Sequence, residues 1–143
     1  MILYLDTSAL VKLFVEEAHS DRIRRAVSAA RLTVTHAIAY VEACAAFARA
    51  AHAWGDDTLF AGLRKNLDLQ WKAWEILEAT EPLIRRAADA AGRYRLRGYD
   101  SLHLAAAEST FEAFRGRMPF CFAAFDEDLC AAATRAGIPL LAT

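Results

Sequence analysis

Four acidic residues stand at positions that apolar packing does not explain. Asp6 and Asp126 each directly follow a short apolar run. Asp100 lies at the start of a predicted helix, and Glu42 interrupts an apolar helical face. Carboxylate oxygens without matching bases are the ligands that Mg²⁺ and Mn²⁺ prefer. Such ions activate water and stabilise the charge on a phosphodiester under attack, so the pattern predicts metal-assisted hydrolysis.

Each acid also has a purely structural interpretation. Asp100 could cap its own helix, and Asp126 could cap the helix that follows it, with Asp128 as a first-turn acid. Glu42 is harder to explain in this way, because an acid on an apolar mid-helix face is costly unless it is paired, for example with Arg49. The functional interpretation therefore depends on all four acids occurring together in one sequence, and not on any one of them alone.

The elements that must position these acids alternate between strands and helices. The predicted strands are Ile2–Leu5, Leu32–Thr35, Trp74–Leu77, Phe120–Phe125 and Ile138–Ala142. The predicted helices are Ala9–Val15, Ser20 (with Ser20-Asp21 as the cap) to about Ala30, His36–Ala53 closed by Gly55, Asp56 through Leu67, Thr80 to about Tyr94, Asp100 to about Gly116, and Glu127–Ala136 stopped by Gly137. This order predicts an α/β domain with a mostly parallel sheet. Acids that follow parallel strands then lie at the carboxyl edge, where such folds bind ligands.

Composition limits the classes of protein that remain. The 143 residues are near the usual size of one domain, so we expect a single domain over residues 1–143. The net charge of −1 excludes a whole-molecule basic field, so any attraction to nucleic acid must be local. Three scattered cysteines, an opening segment unlike a signal peptide and the lack of a long apolar run predict a soluble, cytoplasmic protein with no membrane association.

Several common sites are missing from the sequence. It has no glycine-rich phosphate loop, no nucleophile elbow and no His/Cys metal spacing. A phospho-acceptor receiver domain needs an acid pair at the first strand and a late lysine, but no acid precedes Asp6 and the last lysine is Lys72. A phosphoaspartyl phosphatase needs Asp-x-Asp, and Asp6-Thr7-Ser8 lacks the second aspartate.

Basic and imidazole groups near the acids are secondary candidates. Arg97, the last of three arginines that lead into Asp100, and Lys12, which follows Asp6, are candidates for phosphate contact. His103 lies one helical turn after Asp100. We interpret His103 as packed and hydrogen-bonded rather than catalytic, because a metal site needs no imidazole base.

Together these segments resemble a known family. Asp6-Thr7-Ser8 after an opening strand, Glu42 in a long helix, the run Arg97–Ala107 and the run Phe125–Leu129 resemble the PIN domain, in the form of the VapC toxins of bacterial type II toxin–antitoxin pairs. The resemblance spans essentially the whole chain. It implies a PIN-like three-layer α/β/α sandwich with a mostly parallel central sheet, and a Mg²⁺- or Mn²⁺-dependent endoribonuclease.

The resemblance also implies roles for individual residues and partners. Four positions match the acidic metal ligands and catalytic residues of the family: Asp6, Glu42, Asp100 and Asp126. Ser8 matches a position that supports the site by hydrogen bonding, and Asp128 matches an auxiliary acid. The implied partners are an RNA substrate, a cognate VapB-like antitoxin that blocks the site and a second copy of the chain in a homodimer. The alternative is a catalytically weak PIN-like module that binds RNA or acts as a scaffold.

Overall fold

Four parallel strands form the central sheet in the computed structural model, which describes residues 1–142. The strands are β1 (Ile2–Leu5), β2 (Leu32–His36), β3 (Glu75–Leu77) and β4 (Phe120–Ala123), in the spatial order β3-β2-β1-β4. All three strand pairs are parallel. β1 is therefore a central strand with β2 and β4 on its two sides, which explains why its four residues are apolar or aromatic and fully buried.

Seven helices are described in residues 1–142. They are α1 (Thr7–Val11), α2 (Ser20–Ala29), α3 (Ile38–Trp54), α4 (Leu59–Trp71), α5 (Glu81–Tyr94), α6 (Gly98–Phe114) and α7 (Glu127–Arg135). None of these helices is both long enough and apolar enough to cross a membrane.

The side chains of β1 alternate between the two faces of the sheet. Leu3 and Leu5 pack with α1, α2, α3 and α4 on one face. Ile2 and Tyr4 pack with α6 and α7 on the other, where α5 also contributes. Successive residues of a strand point to opposite faces, so one strand joins both cores. The predicted three-layer α/β/α sandwich is confirmed, with a sheet that is wholly rather than mostly parallel.

Three predicted helix starts differ from the structure. α1 begins at Thr7 rather than Ala9, because the Asp6 carboxylate accepts the Ala9 N–H and caps the helix. α6 begins at Gly98, before Asp100. The capping role predicted for Ser20 is wrong: the residue before α2 is His19 in a left-handed conformation. The Ser20 hydroxyl instead accepts the N–H of Glu17, in the turn before the helix.

The boundaries of α3 and α4 also shifted. The sequence predicts a helix from His36, but His36 is the last residue of β2 and α3 begins at Ile38. α4 begins at Leu59 rather than at the aspartates before it, because Asp56 accepts both the N–H and the hydroxyl of Thr58 and forms a turn. The predicted end of α3 at Gly55 is confirmed, since this glycine has φ of 64°.

The predicted fifth strand, Ile138–Ala142, is wrong. The structure has a single bridge between Leu140 and Phe122 at this place. Pro139 has no N–H to donate, so a regular ladder cannot extend through it. β4 ends at Ala123 instead of Phe125, because the N–H of Phe125 donates to the Ser8 hydroxyl rather than to the sheet.

Candidate active site at the carboxyl edge of the sheet

Asp6 and Asp126 begin helices at the ends of two neighbouring strands. Asp6 follows β1 and accepts the N–H of Ala9 at 2.8 Å. Asp126 follows β4 and accepts the N–H of Leu129 at 2.9 Å. The capping interpretation of Asp126 is therefore confirmed. It uses only Oδ1, so Oδ2 of Asp126 is free to face the edge of the sheet, where an arginine reaches it.

Asp6 is the most deeply buried of the four acids, with 4% of its surface exposed. The Ser8 hydroxyl contacts both of its carboxylate oxygens, at 2.7 and 2.9 Å. Burial, with a smaller contribution from the charge of Asp100, raises the pKa of Asp6 to about 6, and the Ala9 N–H and the Ser8 hydroxyl oppose this rise. The loss of hydration on burial therefore outweighs the hydrogen bonds that favour the ionised form of Asp6.

Arg97 joins two of the acids across the edge. Its Nη2 atom lies 3.0 Å from Oδ2 of Asp100 and 3.3 Å from Oδ2 of Asp126. The Arg97 side chain is 80% exposed, and Asp128 adds a further negative charge nearby. Asp100 lies inside the first turn of α6 and forms an ion pair, and the predicted capping alternative for Asp100 is wrong.

Glu42 is held by partners that the sequence did not indicate. Its Oε1 atom accepts the Thr7 hydroxyl at 2.6 Å and lies 3.0 Å from Nε2 of His103. The predicted pairing with Arg49 is not among its contacts in residues 1–142. Burial by itself would raise the pKa of Glu42, but the hydrogen bonds from His103 and Thr7 outweigh it and hold the pKa below its ordinary value. Glu42 is therefore an ionised carboxylate at neutral pH.

His103 is buried and hydrogen-bonded, as the sequence predicted. Its Nδ1 atom lies 3.0 Å from the hydroxyl of Tyr4, and its Nε2 atom lies 3.0 Å from the hydroxyl of Thr7. Sequence reasoning missed Tyr4, which reads as an ordinary residue of a buried strand. Burial, with the charges of Asp6 and Glu42, raises the pKa of Tyr4 well above its usual range.

His36 is a second imidazole at this edge that the sequence did not assign. It is buried at the end of β2, and its Nδ1 accepts the N–H of Ile38, where α3 begins. Its Nε2 has no partner within residues 1–142. Burial lowers the pKa of His36. His36 is thus a neutral residue that positions the start of the helix carrying Glu42.

Two clefts open beside the acids. One has a volume of about 570 Å³, and its lining includes Lys12, which follows α1, together with Glu42 and Arg49 of α3. The other, of about 360 Å³, is lined by Glu42, Arg97 and Asp100. Glu42 belongs to both clefts, so they meet at its side chain. Lys12 pairs with Glu17 at 2.9 Å and lines the first cleft from the residue that follows α1.

The donor set can be compared with the needs of a divalent cation. Hard carboxylate oxygens are suitable ligands, and two of them already converge on one cationic nitrogen of Arg97. Among the described residues, however, no three acidic, histidine or cysteine side chains are grouped so that they could hold a metal ion. The carboxylate oxygens are chemically suited to such an ion. In this structure, however, the carboxylates of Asp100 and Asp126 form ion pairs with Arg97.

The molecule is an α/β protein with an open parallel sheet, and its carboxylates and clefts lie at the carboxyl edge, where proteins of this class bind ligands. The chain belongs to the PIN domain family, whose model matches residues 3–139. No protein of curated function matches the chain in sequence.

Several solved structures share the fold, among them three proteins from bacteria. FitAcB from Neisseria gonorrhoeae is 18% identical with a TM-score of 0.71, over 99% of this chain and 97% of that one. VapC20 of Mycobacterium tuberculosis, a Sarcin-Ricin loop cleaving toxin, is 17% identical with a TM-score of 0.66, over 91% and 94%. A toxin-antitoxin complex from Klebsiella pneumoniae gives 16% and 0.62, over 88% of both chains. The likeness extends over nearly the full length in each case.

Proposed function

We propose that the protein is a metal-dependent endoribonuclease and the toxin of a type II toxin–antitoxin pair. One observation carries the proposal: Asp100 and Asp126 converge on a single cationic nitrogen beside the buried Asp6, in a chain of the PIN domain family. Carboxylates concentrated beside a cleft suit the binding of a cation and, through it, of a phosphodiester.

The acids would share the work of holding the ion. Asp6, Asp100 and Asp126 supply oxygens from three helix starts, and Glu42 supplies one from the middle of α3. A bound Mg²⁺ or Mn²⁺ would activate water and offset the charge on the scissile phosphate. The protein's own part is to orient these carboxylates, and Ser8 and Thr7 support this by hydrogen bonds to Asp6 and Glu42.

In this proposal a few side chains around the two clefts bind the RNA. Lys12 and Arg49 line the cleft that reaches Glu42, and Arg97 lies at the rim of the second cleft. Guanidinium and ammonium groups bind phosphate oxygens, and Tyr99, which is 57% exposed, offers a ring on which a base can stack. These groups compensate for the net charge of −1, which gives no long-range attraction to RNA.

Partners are proposed from the structural neighbours. The Klebsiella pneumoniae structure is a toxin-antitoxin complex, and the Mycobacterium tuberculosis protein is a Sarcin-Ricin loop cleaving toxin. By analogy, we infer an antitoxin that covers the acidic edge and a homodimer of this chain in the cytoplasm. Light scattering of the purified protein measures the second of these directly, with a monomer mass as the contrary result.

The test of the proposed function is cleavage of RNA. Purified protein is incubated with total cellular RNA and Mn²⁺ or Mg²⁺, and new RNA ends are mapped. Asp6→Asn is the inactive variant, since asparagine can still accept the Ala9 N–H that caps α1. Asp57→Asn is the matched control, because Asp57 is exposed and lies away from the acidic edge.

Each outcome decides between the proposal and its alternative. Discrete cuts that need the metal, vanish with EDTA and vanish in Asp6→Asn but persist in Asp57→Asn support the nuclease. Cuts that persist in Asp6→Asn indicate a contaminating enzyme and overturn the assignment of this site. RNA that is retained but uncut by the folded protein in the presence of the metal favours an RNA-binding module instead.

A further inference from the structure

A buried chain of hydrogen bonds leads from the core to Glu42. The hydroxyl of Tyr4 lies 3.0 Å from Nδ1 of His103, and Nε2 of His103 lies 3.0 Å from Oε1 of Glu42. Tyr4 has no exposed surface and His103 has 2%, so water does not compete for these bonds. The three residues come from β1, α6 and α3, which are distant in sequence.

The chemistry of each group determines which partner donates and which accepts in these hydrogen bonds. A phenol has an ordinary pKa near 10, so the Tyr4 hydroxyl carries its proton at neutral pH and can donate to Nδ1. A neutral imidazole that accepts at Nδ1 carries its own proton on Nε2. Glu42 as a carboxylate can only accept, so Nε2–H donates to its Oε1. Each hydrogen bond thus fixes the next one.

The hydrogen bonds to Glu42 also determine which of its two carboxylate oxygens is left for the cleft. Oε1 is held by His103 and by the hydroxyl of Thr7, at 2.6 Å. Oε2 makes no hydrogen bond within residues 1–142, and Glu42 lines both clefts at the acidic edge. A carboxylate held by one oxygen presents the other in a defined direction, which is how residues behind metal-site ligands orient them.

We propose that His103 is a positioning residue, whose Nε2–H, oriented by the Tyr4 hydroxyl, holds Glu42 so that Oε2 points to the substrate and its ion. The proposal rests on the proposed nuclease function for the role of Glu42, but the tautomer of His103 can be tested without it. If His103 served only to fill space in the core, hydrogen bonds from its ring nitrogens to Tyr4 and Glu42 would not be needed.

The first experiment reads the tautomer directly. Long-range ¹H–¹⁵N spectra of ¹⁵N-histidine-labelled protein distinguish a protonated Nε2 from a protonated Nδ1, and His103→Gln identifies the signal among four histidines. We expect the Nε2–H form in the wild type and loss of this single form in Tyr4→Phe, with Tyr94→Phe as the control that removes a hydroxyl elsewhere. A wild-type His103 protonated on Nδ1, or unchanged in Tyr4→Phe, overturns the proposed direction.

The second experiment separates positioning from packing. His103→Gln keeps an N–H near the Nε2 position, whereas His103→Leu keeps only the bulk. We expect His103→Leu to lower Mn²⁺ affinity and kcat by about 10- to 100-fold, the usual cost of losing a group behind a metal ligand, with little change in KM. His103→Gln should recover most of this loss at an unchanged melting temperature.

The outcomes distinguish the two proposals from each other. Equal losses in the two variants, or a loss in neither, overturn the positioning role while the nuclease stands. If His103→Leu does not fold, Tyr4→Phe carries the same comparison, since it removes one hydroxyl from a ring that still packs on Phe122. If the wild type cuts no RNA, the nuclease proposal fails, and the tautomer and Mn²⁺ affinity still decide whether His103 positions Glu42.

Discussion

The guanidinium of Arg97 lies 3.3 Å from a carboxylate oxygen of Asp126, although 29 positions separate the two residues. The same nitrogen lies 3.0 Å from Asp100. One exposed cation thus neutralises two carboxylates from α6 and α7 at the edge of the sheet. A divalent ion bound by these carboxylates has to displace Arg97, which would then be free to contact a phosphate.

The first prediction concerns Arg97→Met. In this variant the Arg97 guanidinium no longer competes with a metal ion for the carboxylates of Asp100 and Asp126. We therefore expect Mn²⁺ to bind a few-fold more tightly. RNA should bind more weakly, because a phosphate contact is lost. Isothermal titration of metal-free protein measures the first effect, and binding of an uncleaved RNA in EDTA measures the second.

Arg117→Met is the control for this pair of effects. Arg117 is exposed and precedes β4, at the opposite edge of the sheet from the acids. Weaker Mn²⁺ binding in Arg97→Met would show that the arginine supports the ion rather than competing with it.

The second prediction is a pH-dependent gain in stability from Asp6→Asn in metal-free buffer. The pKa of Asp6 is about 6 in the folded protein, against an ordinary 3.8, so the native state binds this proton more tightly than the unfolded state. The stability from the protonated group is fully present below about pH 3.8 and is lost as the pH rises through about 6. Asn carries no charge and avoids that loss, a difference of about 3 kcal/mol at pH 8.

Thermal and urea unfolding at pH 8 and pH 4 check this prediction. Asp6→Asn should unfold at a higher temperature than the wild type at pH 8, with the gap closing towards pH 4. Asp57→Asn, an exposed change of the same charge, should show no such trend. A gap that widens as the pH falls would contradict the sign of the pKa shift.

The third prediction concerns the hydroxyl that links two loops. Ser8 donates to Asp6 and accepts the N–H of Phe125 at 3.1 Å, so it ties the start of α1 to the segment before Asp126. Ser8→Ala leaves the N–H of Phe125 without this partner, and we expect a loss of about 1–2 kcal/mol in the free energy of unfolding. Urea denaturation measures it, and the exposed Ser28→Ala should change stability by only a few tenths.

The fourth prediction compares two glycines with opposite conformational needs. Gly137 has φ of 76° after α7, and Gly62 lies inside α4; a Cβ at either position meets no atom within 4 Å. Gly137→Ala should therefore lose about 1 kcal/mol through backbone strain alone. Gly62→Ala should gain about 1 kcal/mol, because alanine favours the helix. Melting temperatures that move in the same direction for both variants would contradict this account.

Much of the fold could be predicted from local sequence. The apolar runs ending at Asp6 and near Asp126, and the stops at Gly55 and Gly137, are confirmed because each depends on residues within one turn or one strand. The predictions that failed depend on neighbours in space. Ser20 bonds to the preceding turn instead of capping α2, and the segment at Pro139 meets β4 in one bridge.

The sequence by itself determined that acids follow the strands and that helices alternate with them, since hydrophobic period and capping act over a few residues. Only the tertiary structure decided what each acid contacts. Glu42 meets His103 across 61 positions, and Arg97 reaches Asp126 across 29. Such contacts arise when helices pack on both faces of a sheet, so their geometry depends on the whole core.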